Sequence, residues 1–189
     1  TLGGGRVSAL TGPTPRQTSG PYYPVRKPDD SDLDLTRVAG RAARAKGRPI
    51  EVHGTVVDAR RGPLGGATVE IWQADWQGHY HHPSDRSGEA DPDFQGFGAL
   101  RVGADGTYRF QTVMPKFYGQ GRGARTPHIH VRVVRPEGGE LVTQMYFPGE
   151  PMNEPDAIFQ SLGDPVQRAA VTAVAEAGEP PRYRFDIVV

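Results

Sequence analysis

Apolar and polar positions first alternate regularly at Ile50. IEVHGTVVDA, from Ile50 to Ala59, carries the period of two expected of a half-buried strand. RRGPLGG then reads as a turn and ATVEIWQAD as a second strand, so the stretch from Ile50 to Asp75 predicts a hairpin. GHYHHPSDRSGEADPDFQGFGALRV, Gly78 to Val102, has neither period for much of its length. A loop of that length inside a compact domain is usually functional or disordered. ADGTYRFQTV predicts a turn feeding a strand, and VMPKFYGQGRGARTP a glycine-rich loop. PHIHVRVVRP and ELVTQMYFP predict two strands joined at EGG. PGEPMNEPDAIFQSLGDP is irregular, and PVQRAAVTAVAEAG predicts the one short helix, with Pro165 near its start and Gly178 at its end. PRYRFDIVV closes the chain as a strand. The whole pattern predicts a mainly β protein: a β-sandwich of mixed and antiparallel strands with long loops and one short helix.

The first 49 residues read differently. Residues 1–20 are rich in Gly, Ser, Thr and Pro, SGPYYPV adds two tyrosines, DDSDLDL is an acidic turn, and TRVAGRAARAKGRP is a basic excursion. The expected organisation is an N-terminal arm, residues 1–49, packing on a β-sandwich domain, residues 50–189. The adjacent tyrosines are what tie the arm to the body.

Composition narrows the function classes. The chain has 189 residues, 36% hydrophobic, with 25 Gly, 18 Pro and no Cys. Thiolate nucleophiles, disulfides, zinc fingers and iron–sulfur clusters are thereby excluded. No apolar run approaches the roughly 20 residues of a membrane span. The 22 basic and 22 acidic residues cancel, so charge makes no case for nucleic acid or anionic lipid. Up to Arg61 there are 11 basic and 6 acidic residues, a mildly basic arm on a mildly acidic body, read as solvated surface. A start at Thr1 implies removed upstream sequence and leaves a cytoplasmic and a secreted location both open.

Candidate chemistry gathers at the strand PHIHVRV. Side chains two apart on a strand share a face, so His128 and His130 project together as two nitrogen donors. Arg125 precedes them, Tyr118 sits in the glycine-rich loop, and Tyr80 lies among His79, His81 and His82 in the other long loop. The acids nearby do not have an EF-hand spacing, and no H-E-x-x-H, G-x-S-x-G or P-loop motif is present. Two other classes stay open on these residues. One is a non-catalytic sandwich module that binds carbohydrate or protein, resting on the generic strand pair and on Trp72 and Trp76. The other is a zinc hydrolase using the histidines.

Tyr80 in VEIWQADWQGHYHHPSD, Tyr118 in YRFQTVMPKFY and the pair in RTPHIHVRV resemble the ligand set of the intradiol ring-cleavage dioxygenases. That family includes the catechol 1,2-, protocatechuate 3,4- and hydroxyquinol enzymes. The resemblance runs from TPRQTSGPYYP through ADPDFQGFG and ELVTQMYFPGEP to YRFDIVV. It implies one non-haem Fe(III) per chain, held by Tyr80, Tyr118, His128 and His130, with a catecholic substrate and O2 as reactants. Hard anionic phenolate oxygen favours ferric iron, and two imidazoles leave an open position. The resemblance further implies that Tyr80 stays bound while Tyr118 is displaced by the catechol and takes up a phenolic proton. A ring carbon then reacts with O2, and acyl migration leads through a cyclic anhydride to a cis,cis-muconate-type diacid. Arg125 matches an arginine that stabilises charge on the substrate ring. Gln144 matches a glutamine that orients a neighbour, and Gly20, Pro21 and Tyr22 match an arm segment lining the substrate cleft. His79, His81 and His82 are expected to serve the loop, and His53 to be structural.

The chain also departs from the family. FYGQGRGARTPH lacks the Pro-Trp that follows the matching tyrosine in protocatechuate enzymes, and residues 1–49 have no counterpart of the helical region by which catechol 1,2-dioxygenases dimerise. Arm and full ligand set lie in one chain, whereas protocatechuate enzymes divide them between two subunits. The expectation is a compact enzyme with an open cleft and a broad range of catechols, able to form a homo-oligomer.

Overall fold

The computed structural model describes residues 12–189. Its core lies between two sheets. Strand β1 (Pro49–Asp58) is the spine of the first. Strand β5 (Thr107–Val113) pairs antiparallel along one side of it, from Pro49↔Val113 to Thr55↔Thr107. On the other side β9 (Arg182–Arg184) and β10 (Ile187–Val188) pair parallel, with β8 (Val174–Glu176) outside β9. A two-residue strand β2 (Gly62–Pro63) folds back on the end of β1. The second sheet is antiparallel, in the order β4 (Phe97–Arg101), β3 (Thr68–Trp72), β6 (His128–Val134), β7 (Glu140–Tyr146).

The mainly β architecture is as the periodicity predicts, and β1, β3, β5, β6 and β7 fall on predicted strands; β4 lies in the stretch read as a loop, and the hairpin is not formed. β1 and β3 lie in different sheets. Both flanks of β1 are taken by β5 and by β9 with β10, and both flanks of β3 by β4 and β6. Val52 and Val56 therefore share one core with Val69 and Ile71 as inward-facing residues of two sheets, not as lateral partners.

The helix is also shorter than expected. Helix α2 covers Pro165–Ala170, and Val174–Glu176 is strand β8. Val171, Thr172 and Val174 are β-branched and lose rotamer freedom in a helix. Here Val171 O accepts from Tyr146 N at 2.8 Å and Tyr146 O from Ala173 N at 2.9 Å, so the end of β7 captures the backbone that would have continued the helix. The irregular stretch before it contains a four-residue helix α1 (Ala157–Gln160), capped by Asp156.

Register places the site. Ile129, Val131 and Val133 of β6 point into the main core. His128 and His130 alternate with them and stand on the outer face of the sheet. Across that face Phe97, Trp72, His130 and Gln144 lie in one lateral row. A bare outer face would leave these groups in water, yet His128, His130, Trp72 and Gln144 are all buried. The arm covers them. Thr14 exchanges hydrogen bonds with Val188, Gln17 N donates to Val142 O, and Thr143 Oγ1 donates to Pro15 O. Tyr22 and Tyr23 then pack into a second apolar cluster with Trp72, Tyr80 and Phe97. Residues 1–11, the start of the predicted arm, lie outside the described residues.

Candidate metal centre

The two histidines meet as their spacing on β6 dictates. His128 Nε2 and His130 Nε2 are 3.2 Å apart, and the Tyr80 hydroxyl is 3.4 Å from His128 Nε2. Thr126 O lies 2.7 Å from His128 Nδ1, which places the proton on Nδ1 and leaves Nε2 as a lone pair facing the cluster. The His130 ring is held by stacking on Trp72, with centroids 4.9 Å apart and planes within 4°. Its Nδ1 is buried without a partner. Tyr118 closes the group, its ring 5.6 Å from that of Tyr80 and 5.8 Å from that of His128.

Two loops deliver the tyrosines. Asp75, wholly buried at the end of the VEIWQAD segment, accepts from Gln77 N, His79 N and Asp91 N and ties the long loop into a knot. Asp85 accepts from Tyr80 N at 2.7 Å. Tyr118 and Arg125 face each other as an antiparallel bridge, Arg125 N donating to Tyr118 O at 2.7 Å and Tyr118 N to Arg125 O at 3.1 Å. The glycine-rich segment between them is thus a closed loop with a 3₁₀ turn at Gly121–Gly123. It brings a phenol and a guanidinium to one edge of the cluster.

Electrostatics favour an added cation. Burial, then the nearby Arg125, pushes His128 down to about 3. Burial, with His128 and Arg125 beside it, takes His130 well below its ordinary value too. Both imidazoles are therefore neutral donors at physiological pH. Burial and the neighbouring Tyr118 hold Tyr80 well above the ordinary phenol value. Burial raises Tyr118 as well, opposed by Tyr80 and Arg125. Four donors converge with no positive charge among them to ionise the phenols. No group of three or more His, Cys, Asp or Glu that could hold a metal occurs among the described residues, so a four-donor set needs both tyrosines. Two neutral imidazoles and two phenols suit a hard, highly charged ion such as Fe(III).

Arg125 is held at two edges. Its Nε donates to Asp156 Oδ2 at 3.0 Å and its Nη2 to Gln144 Oε1 at 2.5 Å. Burial works against its charge, but Asp156, together with Tyr118 and Tyr146, outweighs that and keeps it ionised. Gln144 Nε2 donates in turn to Thr18 O of the arm at 2.9 Å. Gly20 sits over His130 at φ +64°, a conformation that favours glycine; a Cβ there would lie 3.4 Å from His130 Cε1. Next in the arm, Pro21 leads into Tyr22, whose ring stacks on Tyr80 at 4.6 Å.

The remaining histidines are engaged elsewhere. His79 Nδ1 contacts Ser87 Oγ, His81 Nε2 contacts Asp91 O, and His82 Nδ1 accepts from Ser84 N. His53 pairs with Glu176 on the far sheet. A groove of about 1120 Å³ also lies there, lined by His53, Arg109, Arg184 and Asp186 and by none of the cluster residues. Trp72, only 1% exposed, offers no platform for an outside ligand. Asp156, Asp75 and Asp85 were not singled out as site residues by sequence; Asp156 carries only the local signal of a helix cap before an apolar turn.

The Dioxygenase family model matches residues 18–189. The protocatechuate 3,4-dioxygenase beta chain of Burkholderia cepacia is 36% identical over 180 residues, spanning 89% of this chain and 77% of that one. Catechol 1,2-dioxygenase 1 of Acinetobacter lwoffii is 33% identical over 166 residues, 78% of this chain but 50% of its own length. Among solved structures, the dioxygenase domain of a dioxygenase carbohydrate-binding fusion from Streptomyces sp. SirexAA-E superposes with a TM-score of 0.70 at 35% identity, over 94% of this chain and 98% of that one. The chain belongs to the intradiol ring-cleavage dioxygenase family.

Proposed function

We propose that this chain cleaves catechol-type aromatics with O2 between the two hydroxyl-bearing carbons, giving cis,cis-muconate-type diacids, on a non-haem ferric ion held by Tyr80, Tyr118, His128 and His130. The observation that carries this reading is the convergence of two neutral imidazoles, the buried Tyr80 phenol and the half-buried Tyr118 phenol in one cluster. A ferric ion held there would supply Lewis-acid character that makes a ring carbon of a bound catechol reactive toward O2.

The chain's own residues divide the remaining work. Tyr80 is buried and stacked under Tyr22, so it stays in place. Tyr118 is only partly buried, in an exposed loop. It is the side chain free to swing out: ionised when it serves as a ligand, it would take one substrate proton onto its phenolate oxygen and leave as the neutral phenol. His128 and His130 are fixed by Thr126 O and by Trp72 and do not move. Arg125 presents a held guanidinium to negative charge developing on the ring, the kind of preorganised charge that lowers a barrier most in a dry site. Gln144 orients it. Gly20, Pro21 and Tyr22 wall the substrate side and exclude water.

The test is reconstitution with ferric iron, then oxygen uptake on catechol, protocatechuate, 4-substituted catechols and hydroxyquinol with product identification. The expected protein is reddish from tyrosinate-to-iron charge transfer and yields intradiol products. A colourless protein inert to all four after reconstitution, or extradiol products, refutes the reading.

A further inference from the structure

We infer that Asp156 is a positioning residue for ring cleavage, its carboxylate fixing the Arg125 guanidinium and the start of β6 together. This role rests on the intradiol reading of the site. Asp156 is 0% exposed. Its Oδ2 accepts from Arg125 Nε at 3.0 Å and from Thr126 N at 2.8 Å, and its Oδ1 from Ile158 N and Phe159 N at 2.9 Å each. Capping a four-residue helix needs only the last two bonds, which a neutral Asn or Ser supplies. Burying a full charge for that purpose alone is disproportionate, since an unpaired buried carboxylate is strongly destabilising. The other oxygen accounts for the charge. It neutralises Arg125 and holds Thr126, whose carbonyl accepts from His128 Nδ1 at 2.7 Å.

The consequence is geometric. With Nε on Asp156 and one Nη2 bond to Gln144, the plane of the guanidinium is set from two sides. Arg125 carries five N–H donors, so donors remain for the cluster side. Without Asp156 the guanidinium keeps a single tether and its aim is lost. Misplacement of a charged group by about 1 Å costs up to about 100-fold in rate.

The test uses Asp156→Asn, which keeps the cap and removes the charge. In the metal-free protein, ¹⁵N NMR follows solvent exchange of the Arg125 Nε–H against that of exposed Arg122. Protection of at least about tenfold in the wild type, lost in Asp156→Asn, is expected. In the ferric enzyme, Asp156→Asn is expected to lower kcat on catechol about 30-fold with KM within about threefold, and the double variant Arg125→Gln/Asp156→Asn to be no slower than Arg125→Gln alone. A kcat within twofold of wild type, an additive double variant, or an Arg125 Nε–H that exchanges as fast as Arg122 in the wild type overturns the role. The wild-type exchange measurement decides alone if Asp156→Asn does not fold. A wild-type enzyme that leaves catechol intact overturns the intradiol reading and this role with it, whereas normal wild-type turnover with an insensitive Asp156→Asn overturns this role only.

Discussion

Glu70→Gln tests whether the arm is held by a buried charge. Glu70 stands on the outer face of β3 with 3% of its side chain exposed. Tyr23 Oη donates to its Oε2 at 2.8 Å and Arg132 Nη1 to the same oxygen at 3.0 Å, while Lys27 Nζ contacts Oε1. Two of these three partners, Tyr23 and Lys27, belong to the arm. Lys27 is half exposed, so its ion pair is worth roughly 0.5 kcal/mol. The Tyr23 and Arg132 bonds to a buried carboxylate are stronger, on the order of 1–2 kcal/mol each. Glutamine keeps the shape and can still accept from Tyr23, but its Nε2 then meets a cation without an acceptor. We expect a loss of about 2–3 kcal/mol, which for a chain of this size lowers Tm by about 5–10 °C.

The sign with pH follows from the same bonds. Burial alone would raise Glu70, but donation from Lys27, Tyr23 and Arg132 outweighs it and holds the carboxyl below its ordinary 4.5. A lowered folded-state value gives stability that is present above 4.5 and lost as pH falls through the folded value. The difference between wild type and Glu70→Gln should therefore be full at pH 7 and shrink as pH drops below 4.5. The assay is thermal unfolding at several pH values, with limited proteolysis of the arm at pH 7. A Tm within 1 °C of wild type at pH 7, with no faster cleavage in residues 12–27, would refute the reasoning.

Gly54→Ala should fail to accumulate as soluble protein, because its Cβ would sit 2.0 Å from Phe185 O; recovery of a cooperative thermal transition near that of wild type would contradict this. Gly20→Ala should cost about 1–2 kcal/mol from its φ of +64° and, by shifting the strained arm segment that lies against His130, slow turnover about tenfold, measured by oxygen uptake. The metal-free protein should weaken as pH falls from 6.5 toward 3, because the unfolded chain protonates both histidines while burial keeps His128 at about 3 and His130 also neutral in the fold. Each contributes about 1.4 kcal/mol per pH unit over that window, read by urea unfolding at pH 6.5 and 5.5. Tyr80→Phe should lose the charge-transfer colour and tight iron binding, whereas Tyr118→Phe should keep iron with a shifted band; elemental analysis with visible spectra checks both.

What was legible in the chain followed from local period. The face shared by His128 and His130 is read directly from alternation along β6, and Ile129 and Val131 pointing the other way is the same fact. The tyrosines came from resemblance, since no period links Tyr80 to a strand 48 residues later. The misread elements were those where a partner outside the segment decides. β3 left its sequence neighbour because β6 and β4 flank it, and α2 stopped where Tyr146 took its next carbonyl. Asp156 and Glu70 were invisible for a related reason. Each is defined by donors 31 and 47 residues away, Arg125 and Tyr23, and a lone acid in sequence carries no sign of either.

The site's position on the outer face of a sheet explains why the arm matters so much. The inner face of the sheet packs an apolar core against the other sheet, which leaves little room for a cluster of four polar donors. The outer face has that room but starts exposed to water, where imidazoles would protonate in the ordinary way and a guanidinium would be screened. Arm residues Gly20, Tyr22 and Tyr23 supply the missing wall. Gln144 makes the dependence specific: one amide donates to Thr18 O in the arm and accepts from Arg125 in the site. Arm docking and the aim of the guanidinium are thus two ends of the same side chain, so loosening the arm disturbs the Arg125 guanidinium beside the cluster before it disturbs the sandwich beneath.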